Sequence, residues 1–173
     1  MRALLLALAI LLSALPAAAA GFPAAYGAVV IQPVGLPDRA EFDLTAVAER
    51  ARRENKRLYV YLGARDCRFC RRYEAFLDRH AAELVPHFQR DYVVADLRSS
   101  LSVLARSVYI KLGASSRSYT EFQTAIGDER VRQLVYPNIW ILDADGKPLM
   151  QMPSGAGTFE TVAEQIEVLQ LVQ

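Results

Sequence analysis

The chain has 173 residues, with 20 Lys or Arg against 19 Asp or Glu and a formal net charge of +1. That balance speaks against the basic footprint of a nucleic-acid or anionic-membrane binder. With 53% hydrophobic residues, no internal repeat and no low-complexity tract beyond an Ala-rich start, the sequence describes a single domain of ordinary size.

Residues 1–20 read as a secretory signal peptide. Arg2 is the basic start, residues 3–15 are apolar except for Ser13, and Pro16 ends the run. The small residues Ala17, Ala18, Ala19 and Ala20 place cleavage near Ala20 and Gly21. The run is short for a membrane span, which takes about 20 apolar residues. An uncleaved anchor is the alternative, and no cysteine follows that could carry a lipid. Without Arg2 the remainder holds 19 basic and 19 acidic residues. The expected product is exported, periplasmic or secreted, and soluble after cleavage. Its expected organisation is a signal peptide over 1–20, an N-terminal arm over 21–41 and one domain over 42–173.

In the arm, Ala28-Val29-Val30-Ile31 is one short β-like run among Gly, Pro and Ala. Asp43 or Thr45 can cap a helix to about Asn55, with Leu44, Val47, Ala48 and Ala51 on one face. Leu58-Tyr59-Val60-Tyr61-Leu62 is a strand and residues 63–66 a turn. From Cys70 to about Leu84, the spacing of Tyr73, Phe76, Leu77, Ala81 and Leu84 predicts a helix that Pro86 helps to end. Tyr92-Val93-Val94-Ala95 is a second strand, closing at Asp96. Helix, strand, helix, strand favours a parallel βαβ unit. Leu101, Leu104, Val108 and Leu112 suit one helix ending at Gly113, and Ser118-Tyr119-Thr120-Glu121 is a capping box for another. Gly127-Asp128 marks a break after it. Residues 138–142 form a strand, Asp143-Ala144-Asp145-Gly146 a tight turn and residues 147–152 the return strand. Thr158 caps a last helix to about Leu171, with Phe159, Val162, Ile166 and Leu169 on its apolar face.

The chemistry concentrates in Cys67-Arg68-Phe69-Cys70, which holds the only two cysteines of the chain and follows an apolar strand. A first cysteine near a helix N-terminus has its thiolate stabilised by the dipole and free N–H groups. Thiolate is the form that attacks disulfides. A structural staple is the competing reading, because export favours disulfides. Closing so small a loop removes little unfolded-state entropy, so the redox reading is preferred.

The joint pattern of Tyr61-Leu62-Gly63-Ala64-Arg65-Asp66-Cys67-Arg68-Phe69-Cys70 with Val135-Tyr136-Pro137-Asn138-Ile139-Trp140 resembles the thioredoxin superfamily over residues 42–171. The resemblance implies an α/β thioredoxin fold, a central mixed sheet flanked by helices, with a helical insertion before the strand that Pro137 opens. It implies that Pro137 is cis, lies opposite the two cysteines and leaves the backbone at Tyr136 free to pair with a substrate. It implies Cys67 as the exposed nucleophile and Cys70 as the resolving thiol. Arg68 and Phe69 then face the partner, with Arg65, Arg71 and Arg72 nearby and Asp66 and Glu74 opposing their charge. Arg65 is a potential neutraliser of Asp66. The chain departs from the common pattern: Asp66 stands where Trp is usual, Tyr61 replaces a buried Asp that helps move the resolving proton, and Arg-Phe replaces Gly-Pro. Residues 97–135 are also longer than the thioredoxin connection. The proton acceptor is therefore open, with Asp96 as one option and a surface strand-end carboxylate as the ordinary reading of that residue.

Among rival readings, a metal site from Cys67, Cys70, His80 and His87 lacks zinc-finger spacing, and haem attachment requires His where Arg71 stands. Asp143-Ala144-Asp145-Gly146 lacks the later ligands of a calcium loop. No cofactor and no metal are expected. The expected function is an exported thiol–disulfide oxidoreductase, working as a specialised reductase on protein disulfide or dithiol substrates. A membrane or exported redox partner would recycle it, and a monomer is expected. A non-catalytic binding or chaperone module on the same fold stands as the alternative.

Overall fold

The computed structural model describes residues 21–35, 38–127, 133–152 and 161–172. In chain order these form β1 (Val29–Ile31), β2 (Ala40–Asp43), α1 (Thr45–Glu54), β3 (Arg57–Ala64), α2 (Arg68–Arg79), α3 (Ala81–Asp91) and β4 (Tyr92–Ser99). There follow β5 (Val108–Leu112), β6 (Ser115–Ser118), α4 (Tyr119–Ala125), β7 (Asn138–Leu142), β8 (Pro148–Met152) and α5 (Val162–Gln170). The signal-peptide reading of residues 1–20, and the readings of Asp128, Thr158 and Phe159, lie outside the described residues.

The main sheet has the order β1-β4-β3-β7-β8. β1, β4 and β3 run parallel, whereas β7 is antiparallel to β3 and β8 to β7. A parallel core with an antiparallel hairpin, a helix crossing from β3 to β4 and a terminal helix is the thioredoxin fold. β3 is buried from Leu58 to Ala64 without alternation, as expected of a strand covered on both faces. Tyr59 and Tyr61 turn to the side of α2 and α3, where Tyr59 meets Phe88 and Tyr61 meets Tyr73. Trp140, paired with Val60 in register, turns to the opposite face and meets Tyr119 and Phe122 of α4.

Several elements follow the expected pattern. Asn55 ends α1 as expected, in the left-handed conformation with φ 51°. The N-cap of that helix is Leu44, which makes no side-chain cap, rather than the expected Asp43 or Thr45; Asp43 Oδ1 accepts from the Thr45 N–H at 2.9 Å just ahead of it. Ser118 and Glu121 form the reciprocal capping box of α4. In the β7–β8 turn, Asp143 Oδ1 accepts from the N–H groups of Asp145 and Lys147 at 3.0 and 2.8 Å.

Others differ. The single helix expected from Cys70 to Leu84 is two, because α2 ends at Arg79 and the chain turns at His80 (φ −106°) before α3. Pro86, expected to end a helix, lies inside α3. Its missing N–H removes one bond, while Leu84 and Phe88 on either side are buried in the core and hold the turn. β4 does not close at Asp96 but continues to Ser99. The helix expected over 101–112 is a 3₁₀ turn, Ala105–Ser107, followed by β5. Val108 and Ile110 are buried and Tyr109 half-buried, so alternation governs here. Parallel pairing to β2 and a hairpin through Gly113 (φ 58°) to β6 build a second, three-stranded sheet. The insertion is thus mixed rather than helical. The last helix is capped by Thr161, whose hydroxyl accepts from Glu164 N–H.

Candidate active site

The two cysteines sit where β3 ends and α2 begins. Cys67 N–H donates to Ala64 O at 3.1 Å, and Arg65 N–H to Ser99 O at 3.2 Å. Asp66 Oδ1 accepts from Leu101 N–H at 2.9 Å, so this carboxylate is held by backbone rather than by Arg65. These bonds pin the turn to the end of β4. Cys67 is the N-cap of α2, and its Sγ accepts from the Cys70 N–H at 3.1 Å. Both thiols are free.

Cys67 is 3% exposed and Cys70 0%. The first is thus more enclosed than the exposed position expected of it, because the turn is folded down onto β4. Burial, and then the neighbouring Cys67, push the Cys70 thiol well above its ordinary range, against a backbone hydrogen bond at Ala64 and a side-chain hydrogen bond from Tyr61. Arg68 and Phe69 form the exposed first turn of α2, with Phe69 39% exposed. The Arg68 guanidinium lies 4.7 Å from the Phe69 ring centroid, so it lies over the ring as a cation–π pair.

Antiparallel pairing of Asn138 with Leu62 brings the residues just before β7 beside the end of β3. There the Tyr136–Pro137 peptide bond is cis. The Tyr136 hydroxyl is hydrogen-bonded to Ser99 Oγ at 2.8 Å. Burial pushes its phenol up to about 12, with the Ser99 bond opposing and the Cys70 charge adding to the shift. Cys67, Cys70, Tyr136 and Pro137 therefore converge at one end of the sheet, and Arg68 and Phe69 lie on its rim. A groove of about 790 Å³ opens beside them, lined by Arg65, Arg98, Ser99, Ser100 and Leu104 among others.

Asp96 differs from its expected strand-end surface position. It is 0% exposed, and its Oδ2 accepts from Phe22 N–H at 2.9 Å and from Arg98 Nη2 at 2.6 Å. Burial pushes its carboxyl up to about 6, against the Phe22 N–H and the Arg98 charge. His80 Nδ1 pairs with Glu83 Oε1 at 3.0 Å and its ring packs on Phe76. Among the described residues no group of three or more His, Cys, Asp or Glu is arranged to hold a metal. No helix of the described residues is long and apolar enough to cross a membrane.

Tyr61, noted in the sequence only as a departure, is the contact that reasoning missed. Its hydroxyl donates to Glu74 Oε1 at 2.9 Å, and burial, then the Cys70 charge, push its phenol far above the ordinary range. The available signal was the spacing of Cys70 and Glu74, one helical turn apart on α2.

No family model matches the chain, and no curated protein does. Among solved structures, the chain is similar to the pneumococcal exposed lipoprotein thioredoxin Etrx1 from Streptococcus pneumoniae strain TIGR4. Identity is 16%, the match covers 66% of this chain and 86% of that one, and the TM-score is 0.35. The fold assignment rests on the strand order and pairings of this chain.

Proposed function

We propose that this chain is a thiol–disulfide oxidoreductase that acts on protein disulfides through Cys67 and Cys70, in the direction of reduction. The observation that carries the reading is the Cys70 N–H donated to Cys67 Sγ at the start of α2. It aims a backbone N–H of the helix start at one sulfur and sets the second directly behind it.

The steps balance as a two-electron exchange. Cys67 thiolate attacks one sulfur of the partner disulfide, a new S–S bond forms, and the other partner sulfur leaves with the electron pair. Cys70, once deprotonated, attacks Cys67 Sγ. The Cys67–Cys70 disulfide closes and the second partner sulfur departs as thiolate. The partner gains two electrons and the chain loses them, so an exported or membrane-bound dithiol must restore the pair. Phe69, Arg68 and the backbone at Tyr136 and Pro137 form the surface that receives the partner chain. The leader composition of residues 1–20 supports an exported protein, processed near Gly21; the arm expected over 21–41 belongs to the domain, since β1 pairs with β4 and Phe22 packs in the core.

The test is the equilibrium reduction potential of the Cys67–Cys70 pair in glutathione buffers, with Cys67→Ser as control. A value near thioredoxin's, about −270 mV, is expected for a reductase. A value near about −120 mV, that of a strong disulfide donor, would reverse the direction. A pair that stays unreactive until the fold is lost would sink catalysis in favour of a binding module.

A further inference from the structure

The groove of about 790 Å³ beside the cysteines is built at one end of the main sheet. β1, β4 and β3 run parallel, and the groove is lined from the carboxyl end of each. Gln32 follows β1, Ser99 closes β4 and Arg65 follows β3. Arg106, on the turn that leads into β5, adds a further wall. The carboxyl ends of the strands are where open α/β sheets take their ligands. We infer, resting on the oxidoreductase reading above, that this groove receives an acidic stretch of the partner chain flanking the disulfide that Cys67 attacks.

Charge carries the inference. The guanidinium groups of Arg65, Arg98 and Arg106 line the groove against one carboxylate, Asp38. Arg98 is largely buried and meets Asp96 Oδ2 at 2.6 Å, while its Nε has no acceptor among the described residues. Arg65 and Arg106 are exposed, and neither forms an ion pair among the described residues. Two more exposed cations stand on the first turns of α2: Arg68, and Arg71, whose Nη1 donates to Arg65 O at 2.6 Å. The acids close by are engaged by the chain itself. Asp66 accepts from Leu101 N–H, and Asp96 from Phe22 N–H and Arg98. This end of the sheet therefore keeps unmatched positive charge, although residues 21–173 hold equal numbers of acids and bases.

The shape points to a chain segment. Pockets for apolar ligands are lined by hydrophobic and aromatic side chains, whereas this lining is mostly Arg and Ser. Its cations come from separate segments, which suits carboxylates spaced along a peptide. The groove is also continuous with the cysteines. Arg65 N–H donates to Ser99 O, and Ser99 Oγ is bonded to the Tyr136 hydroxyl. A partner laid across Cys67 and Tyr136 runs on into it.

Two peptides of equal length, each closed by one disulfide, test this. One carries Asp and Glu around its cysteines, the other Asn and Gln. The reading is the ratio of their second-order rate constants with the reduced protein. Taken within one protein, that ratio cancels folded fraction and thiol reactivity, so a merely structural defect does not move it. At low ionic strength the acidic peptide should be preferred about tenfold, and added salt should close the gap. Arg106→Glu should abolish the preference and Arg106→Lys should keep most of it. Equal rates in the wild type, or a preference that Arg106→Glu leaves intact, overturn the groove's role and leave the oxidoreductase reading standing. Loss of the preference on adding inorganic phosphate at constant ionic strength marks a small-anion site and overturns the peptide. If neither peptide is reduced, catalysis falls. A labelled acidic peptide with Ser in place of Cys then decides the groove by fluorescence anisotropy. Salt-sensitive binding that Arg106→Glu removes upholds it, and no binding overturns it.

Discussion

A buried carboxylate is costly unless its partners match it, and Asp96 is matched only in part. Its Oδ2 has two donors, while its Oδ1 and the Nε of Arg98 have none. With its carboxyl pushed up to about 6, from an ordinary value near about 4, the folded state holds this proton more tightly than the unfolded chain. Between those two values raising the pH therefore favours unfolding. Asp43, held at about 2 by Lys111 and Thr45, acts in the opposite sense below that window, so the readout is a difference. Urea midpoints of wild type measured against Asp96→Asn should fall from pH 4 to pH 6, and a flat difference would show that Asp96 is not protonated in the fold. Asp96 was misread because sequence marks it only as the end of an apolar run. Its burial comes from Phe22, which lies far upstream in the chain. Cys67 and Cys70 were legible because their spacing alone brings them together. Tyr61 and Glu74 were not, because their contact depends on how a strand packs against a helix.

At the scale of elements, β3, β4 and β7 were readable as dense runs of β-branched and aromatic residues, and the hairpin as an Asp- and Gly-rich turn after β7. Residues 101–112 were not, because apolar residues every three or four positions also occur where a turn leads into a strand. β5 also finds its partner in β2, whose four residues (Ala40–Asp43) carry no signal of their own. Helix α3 tolerates Pro86 only through the burial of its neighbours. Pro86→Ala restores an N–H to the helix and removes a clash with the preceding turn. Such a change should stabilise the protein by about 1–3 kcal/mol, read as a higher urea midpoint with unchanged slope. No gain would mean that Pro86 limits the unfolded chain as much as it burdens the helix.

The whole molecule is fastened at its first described residues. Phe22 stands edge-on to Tyr26, Tyr59, Tyr61, Tyr73 and Phe88, with centroids 5.2 to 6.5 Å apart, and its N–H holds Asp96. A segment rich in Gly, Pro and Ala does not announce such a residue, since composition describes the loop and not what one ring inserts into. Phe22→Ala should cost about 3–5 kcal/mol, measured by equilibrium unfolding. A cost under about 1 kcal/mol would mean that the ring cluster closes without it. On the other face of the sheet, Trp140 is fully buried, and its Nε1 donates to Gln123 Oε1 at 2.9 Å. It is the one tryptophan of the chain, and two of its aromatic neighbours belong to α4. Its ultraviolet emission is therefore a built-in optical gauge of a single seam. Light shifting to the red while far-ultraviolet dichroism holds steady would report the insertion lifting from an intact sheet.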